Sequence, residues 1–453
     1  MRVRRVLARG LKIDPEERYP SLEALVGDLV AARTQSRRQL IAIGAAGLLA
    51  LTLGGFFVVA PRARMAACVA PVREVDSVWS AEQKGAVHNA LRATGYARVD
   101  EDWPRLERLL DEHARRLKQT QHQACAATYL DGEQAQNVLD QRLLCLERGR
   151  VELEEYVKRL LVVHKNTLGI QLRSIYRVVE PTLCDERMAQ RALATRYPDS
   201  LPSSASGRAE RREVLAAYNL VVALYDGGDL GAAQEALERL TKEVERLHYR
   251  SMETTVIDMQ VLLCSARNDW DCARQYAHQE LVGGQAAGDD YAVARAATQL
   301  ASVERRAGLT PKAREWLQVA NAANDHLGGD PLLTSDIAME QAWTASSEGN
   351  YEETLRHVLR GASSLRQRMS PSAFQLAKWE DMRQGALRQL GRLPEAASAG
   401  ENALRLIESG PGENDLHLSG LLSNLGNVYN ELGRHARADE LYRRALALSE
   451  RVY

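Results

Sequence analysis

Along most of the chain, apolar residues recur three and four positions apart with charged residues between them, the pattern of amphipathic helices. Leu22, Leu25, Val26 and Leu29 follow Ser21, a good N-cap. Ser80-Ala81-Glu82-Gln83 reads as a second helix start. Trp103-Pro104 opens a third stretch with Leu106, Leu109, Leu110 and Leu117 on one face. A long helix is expected from about Gly132 to Val163, carrying Val138, Leu139, Leu143, Leu146, Val151 and Leu153. One stretch breaks the pattern. Leu40 to Ala60 holds no charge over 21 residues, about the length that crosses a ~30 Å hydrocarbon core. It predicts a transmembrane helix. The 39 residues before it argue against a cleaved signal peptide. Pro61, Arg62 and Arg64 separate it from Met65-Ala66-Ala67-Cys68, which only faintly resembles a lipoprotein cleavage box.

From about residue 210 the helical pattern acquires a period. Residues suited to the left-handed conformation that ends a helix stand at Gly228, Asn268, Gly308, Gly349, Gly391 and Gly433, at intervals of 40, 40, 41, 42 and 42. Five positions after each lies Ala233, Ala273, Ala313, Thr354, Ala396 or Ala438, a small residue where two helices meet. In the last unit, Leu422-x2-Leu425-Gly426-x2-Tyr429 precedes Gly433 and Ala438-x3-Tyr442-x2-Ala445. This resembles the tetratricopeptide repeat in order and spacing. Gly426 and Ala438 allow the paired helices to approach, and Tyr429, Tyr442 and the leucines fill the space between repeats. The period exceeds the usual ~34 residues and is similar to the long variant of kinesin-light-chain-like and related bacterial arrays. The expectation is an all-α solenoid of about six repeats over residues 210–453.

The resemblance implies a groove lined by the first helix of each repeat, which binds a protein or peptide. Placing the family's groove positions on this sequence nominates Tyr218, Tyr225, Arg295, Arg305, Trp343, Lys378, Arg388, Asn427 and Asn430. Trp343 and the basic residues suit a peptide with acidic or aromatic anchors. For each of these positions, an ordinary surface residue is the competing explanation. The sequence stops after the final helix at Tyr453 without a polar capping helix, so an apolar end is expected there, open to a partner, another protomer or a lost C-terminus.

Composition narrows the classes. Lys and Arg number 59 against 60 Asp and Glu, so net charge gives no pull toward nucleic acid. Of three Phe, only Phe374 lies outside the apolar run; cores built from Leu, Val and Ala favour helix packing over a β-sandwich. All six cysteines follow that run, which fits an oxidising compartment; Cys264 and Cys272, set to lie at the two ends of a helix–turn–helix, form the most plausible disulfide, with unpaired buried thiols the alternative. His113, His122 and Cys125 form the one metal-like grouping, but no second ligand pair stands nearby, so no metal site is assigned. No cofactor fingerprint, phosphate loop or nucleophile elbow occurs, and an enzyme acting through its own chemistry is not expected. Tyr197 to Gly207, rich in Pro, Ser and Gly, reads as a linker.

Residues 1–32 contain Gly10-Leu11, Asp14-Pro15, Arg18-Tyr19-Pro20-Ser21 and the Leu22/Leu25/Leu29 stripe. This resembles the last helices of the C-lobe of bacterial Ser/Thr protein kinases. The resemblance gives Arg18 a structural role, paired in that family with a Glu that this chain lacks. The Gly-rich loop, strand Lys, HRD-type loop and DFG Asp are lacking too, so catalysis by that mechanism is not expected here. Basic residues flank the apolar run equally, three on each side, and charge alone leaves orientation open. The kinase resemblance implies a cytoplasmic N-terminus and repeats outside the cytoplasmic membrane, in the periplasm.

The layout expected is a kinase-like remnant at 1–32, a basic segment at 33–39, the span at 40–60, a helical juxtamembrane region at 62–200 and the array at 210–453. Two functions fit this layout: the sensing half of a receptor kinase, or a free-standing membrane-anchored scaffold for complex assembly.

Overall fold

The computed structural model describes residues 2–32, 62–69, 72–96, 98–164, 168–195, 199–200, 202, 204–368, 373–409 and 415–452. Among them every regular element is helical. The chain divides into two compact units, residues 1–68 and 69–453.

The first unit holds α1 (Arg2–Gly10) and a helix at 22–32, here α2. Ser21 caps α2, its hydroxyl accepting from Ala24 N at 3.3 Å. Between the helices, Asp14 caps a short 3-10 turn, and Arg18 donates to the carbonyls of Lys12 and Ile13 at 2.6 and 3.2 Å. So much apolar surface stays outside this small fold that Leu11, Ile13 and Leu22 are 82%, 95% and 75% exposed.

Among the described residues no helix is long and apolar enough to cross a membrane. The expected localisation is corrected accordingly. A single-pass placement in the cytoplasmic membrane, with periplasmic repeats, has no described helix to carry it. Most of the described helices place charged residues between their apolar ones. The apolar run Leu40–Ala60, from which the span was read, lies outside the described residues.

The second unit begins with a bundle: α3 (Val72–Val78), α4 (Ala81–Ala93), α5 (Val99–Tyr129), α6 (Gln136–Leu161), α7 (Leu168–Arg173) and α8 (Glu186–Ala194). Ser80 caps α4 as its sequence promised. Pro104, however, sits inside α5 rather than opening it. Its missing N–H falls within the second turn, close to the end where helix donors lack intrahelical partners anyway. Leu106, Leu110, Leu117, Leu153, Tyr156 and Leu160 form the bundle core. A Cys145–Cys184 disulfide, with Cα atoms 5.5 Å apart, ties α6 to the loop before α8. His113 is buried in this bundle, and burial pushes its pKa down to about 4, so the ring is neutral.

Six helix pairs follow: α9 (Ala205–Asp226) with α10 (Leu230–Leu247), α11 (Arg250–Ala266) with α12 (Trp270–Ala287), α13 (Asp290–Arg306) with α14 (Thr310–His326), α15 (Pro331–Ser347) with α16 (Tyr351–Arg368), α17 (Ala373–Gln389) with α18 (Leu393–Ser409), and α19 (Asp415–Glu431) with α20 (His435–Val452). The turn inside each pair has one design. Gly228, Asn268, Gly308, Gly349, Gly391 and Gly433 all adopt positive φ. At each, the following N–H reaches back to the carbonyl five residues earlier, as Asp229 does to Leu224 at 3.0 Å and Arg434 to Tyr429 at 2.8 Å. This satisfies carbonyls that the ending helix leaves open. In the first two pairs the next helix is capped at once; the Asp229 and Asp269 carboxylates accept from Ala232 N and Cys272 N.

The small residue five positions on is buried in every pair, from Ala233 at 0% to Ala438 at 2% exposure. Small side chains there let the helices approach, and Leu, Val and Ala fill the remaining volume. The bundle joins the array through α6, whose Val151 packs with Val214, Leu215 and Leu237 of the first pair.

Candidate functional site

The first helices of the pairs carry one equivalent polar position, about ten residues before each turn. It is filled by Tyr218, Asp258, Gln299, Glu340, Asp381 and Asn424, the last five spaced 41, 41, 41 and 43 apart. At three steps these positions join consecutive first helices. Gln299 Nε2 donates to Asp258 Oδ1 at 2.6 Å. Ser302 and Arg305 donate to Glu340 at 3.1 and 3.2 Å. Asn424 Nδ2 donates to Asp381 at 3.3 Å. One face of the array is therefore a polar ladder whose rungs are hydrogen bonds.

The nominated residues lie on or beside this face, most of them already engaged. Arg295 on α13 reaches Asp258 on α11 at 2.7 Å and the fully buried Glu280 on α12 at 2.6 Å. Two carboxylates thus share one guanidinium. Burial, reinforced by Asp258 and opposed by Arg295, pushes the Glu280 pKa up to about 8. Arg305 is spent on Glu340, and its guanidinium lies 5.9 Å from the Trp343 ring centroid. Arg388 pairs with Glu431 at 2.7 Å. Asn427 accepts from Tyr442 Oη at 2.8 Å, and Asn430 meets His435 at 3.0 Å, so both are turned to their own pair's second helix.

Tyr218 lies 5.5 Å below the Arg148 guanidinium and lines a cavity of about 250 Å3 between α6 and α9. Tyr225 packs against the core of the first pair. Arg18 belongs to the first unit. Cys264 and Cys272 are joined as a disulfide across the turn of the second pair, with Cα atoms 5.7 Å apart.

Trp343 and Lys378 are brought together. They line a cleft of about 530 Å3 between the fourth and fifth pairs, walled by Met339, Phe374, Trp379 and Met382. Lys378 Nζ lies 4.8 Å from the Phe374 ring centroid. Trp343 stays 45% exposed, a large apolar side chain left open beside a polar ladder. Asp336 and Asp381 supply carboxylates to the cleft, and Arg306 a second cation beside Lys378. Asp336 is exposed to solvent in the cleft; the protein crowded around it and the like charges of Asp330 and Glu340 push its pKa up to about 6, against a partial offset from Arg295.

Sequence reasoning did not single out Asp258, Glu280, Asp336, Glu340 or Asp381. A 41-residue spacing of polar residues on first helices was the signal available. The charges also compose differently than expected. Arg295, Arg305 and Arg388, which suggested an acidic ligand, are paired within the protein, and the cleft holds carboxylates beside Lys378 and Arg306. Among the described residues no group of three or more His, Cys, Asp or Glu is placed to hold a metal.

Residues 385–451, from the end of α17 through α20, match the family model described as Tetratricopeptide repeat. Among solved structures, the crystal structure of BtubC (BKLC) from P. vanneervenii is similar over 53% of this chain and 91% of its own length, at 17% sequence identity and a TM-score of 0.41. No curated protein matches the chain.

Proposed function

We propose that this protein is an interaction scaffold, whose first-helix face docks an extended segment of a partner protein and catalyses nothing. Helical repeats of this kind expose a long continuous surface because each unit packs only on its neighbours. The observation that carries the proposal is the cleft of about 530 Å3 on that face, with Trp343 45% exposed at its wall. Exposed aromatics beside apolar hollows are the side chains that supply most of the affinity in protein interfaces. The test is capture of peptides by the whole chain, followed by intrinsic tryptophan fluorescence. Binding that Trp343→Ala weakens at unchanged melting temperature supports docking at this face. Binding indifferent to every substitution on the first helices overturns it.

A finer reading joins the scaffold to a Ser/Thr kinase, as a sensing half. It is supported by the kinase-like residues of the first unit and by Leu11, Ile13 and Leu22, which stand exposed as they would on a piece that covers another fold. Complementation tests this: residues 1–32 added to a Ser/Thr kinase domain lacking its last helices should raise its melting temperature, and no change would sink the link. An assembly scaffold without any kinase is the second form, and it predicts that null result.

A further inference from the structure

We propose that the cleft between the fourth and fifth helix pairs is a subsite for one basic side chain, arginine or lysine, of the docked partner, with the Asp336 carboxylate as counter-charge and Trp343 as its wall. This rests on the docking function proposed above and adds the chemistry of the ligand.

The structure contains its own template for such a site. On α8, Arg191 reaches the array and donates to Asp330 at 2.7 Å, while its guanidinium stacks 4.4 Å from the Tyr291 ring centroid. Asp330 is 4% exposed there, so a carboxylate and an aromatic ring hold a guanidinium away from water. Asp336 and Trp343 repeat the combination further along α15. They are seven residues apart, two turns, and share one face of the helix. Both line the cleft. Trp343 already accepts one guanidinium, that of Arg305, at 5.9 Å.

What differs at Asp336 is its cation. The charges acting on it are the carboxylates of Asp330 and Glu340 and the guanidinium of Arg295. Arg295 is divided between Asp258 and Glu280, and Asp330 and Glu340 are occupied by Arg191 and Arg305. Asp336 is left under-compensated, which is the state that an incoming cation relieves. The cleft contains two cations of its own, Lys378 and Arg306. Lys378 is set over Phe374. Met339 and Met382 give the walls a polarizable, adaptable surface suited to the methylene stem of a long basic side chain.

The experiment is retention of a positional-scanning pentapeptide library by the full chain above neutral pH, wild type against Asp336→Asn and Trp343→Ala. Pools fixed as Arg or Lys should be retained about tenfold over pools fixed as Asp or Glu. Asp336→Asn should erase that preference, and Trp343→Ala should weaken retention of the basic pools several-fold, both at unchanged melting temperature. If Asp336→Asn does not fold, the Trp343→Ala result decides by the same criterion. A library without basic preference, or a preference that survives both substitutions, overturns the subsite and leaves docking standing. Retention of no pool overturns both.

Discussion

Gln299 Nε2 donates to Asp258 Oδ1 at 2.6 Å, joining α13 to α11 across 41 residues of sequence. The same carboxylate takes Arg295 at 2.7 Å, and Arg295 also neutralises the buried Glu280. One bond is a partly exposed amide contact; the other holds a buried acid in place. The two substitutions should therefore separate. Gln299→Ala should cost about 1 kcal/mol, an ordinary hydrogen bond. Arg295→Met should cost about 3 kcal/mol, because it leaves the Asp258 carboxylate and the buried Glu280 without their shared partner. Urea denaturation reads both, and equal losses would show that the shared guanidinium carries no special weight.

Glu280 makes stability depend on pH in a definite direction. Its pKa lies near the ordinary 4.5 in the unfolded chain and is pushed up to about 8 in the fold, facing Asp258 and Arg295. The folded protein thus holds a proton that the unfolded chain releases. That contribution is fully present below about pH 4.5 and lost as pH rises through about 8. Glu280→Gln cannot ionise, so it should gain stability relative to wild type as pH climbs from about 6 to about 9. A stability difference that stays flat across that range would show that Glu280 is already ionised in the fold.

The turns permit a graded test. Gly391 has φ +73°, and Asn268 holds the equivalent place at φ 59°. Gly391→Ala should lower stability by about 1 kcal/mol, since an L side chain is strained there. Gly391→Asn should cost less than half as much, because asparagine tolerates this conformation. Thermal melts that rank Asn below Ala would contradict the shared turn design.

Gly361 on α16 has no room for a methyl group. A Cβ there would lie 2.2 Å from the Trp379 ring and 3.0 Å from Ala338 Cβ. Gly361→Ala should cost about 1–3 kcal/mol by overpacking. The pair Gly361→Ala with Trp379→Leu should recover part of the loss. An additive double variant would mean that the ring moves aside freely.

What the sequence disclosed follows from what the backbone demands. Positive φ admits few residues, so Gly228 through Gly433 stood out, and a buried crossing admits only small ones, so Ala233 through Ala438 did too. The ladder position is filled by Asp, Gln, Glu, Asp and Asn. No one residue type fills all of these places, because any polar side chain of suitable length makes a rung. Arg295 and Arg305 were found by their spacing, but spacing gives a face and not the partner on the next helix. Glu280 and Glu340 had partnered them, and the cleft kept Asp336 beside Lys378 and Arg306. Pro104 misled for a related reason: proline near a helix start is tolerated beyond its first position.

A chain built of look-alike modules must choose the right neighbour while folding. Helix pairs that share a turn and a small-residue crossing are nearly interchangeable in shape, so shape discriminates poorly between adjacent and skipped partners. The rungs add an address. In the correct order Asp258 meets the amide of Gln299. Skipping one module would set it against Glu340, a second carboxylate in place of an amide donor. At this step, the variation that hid the ladder from view tells the adjacent module from the next one along.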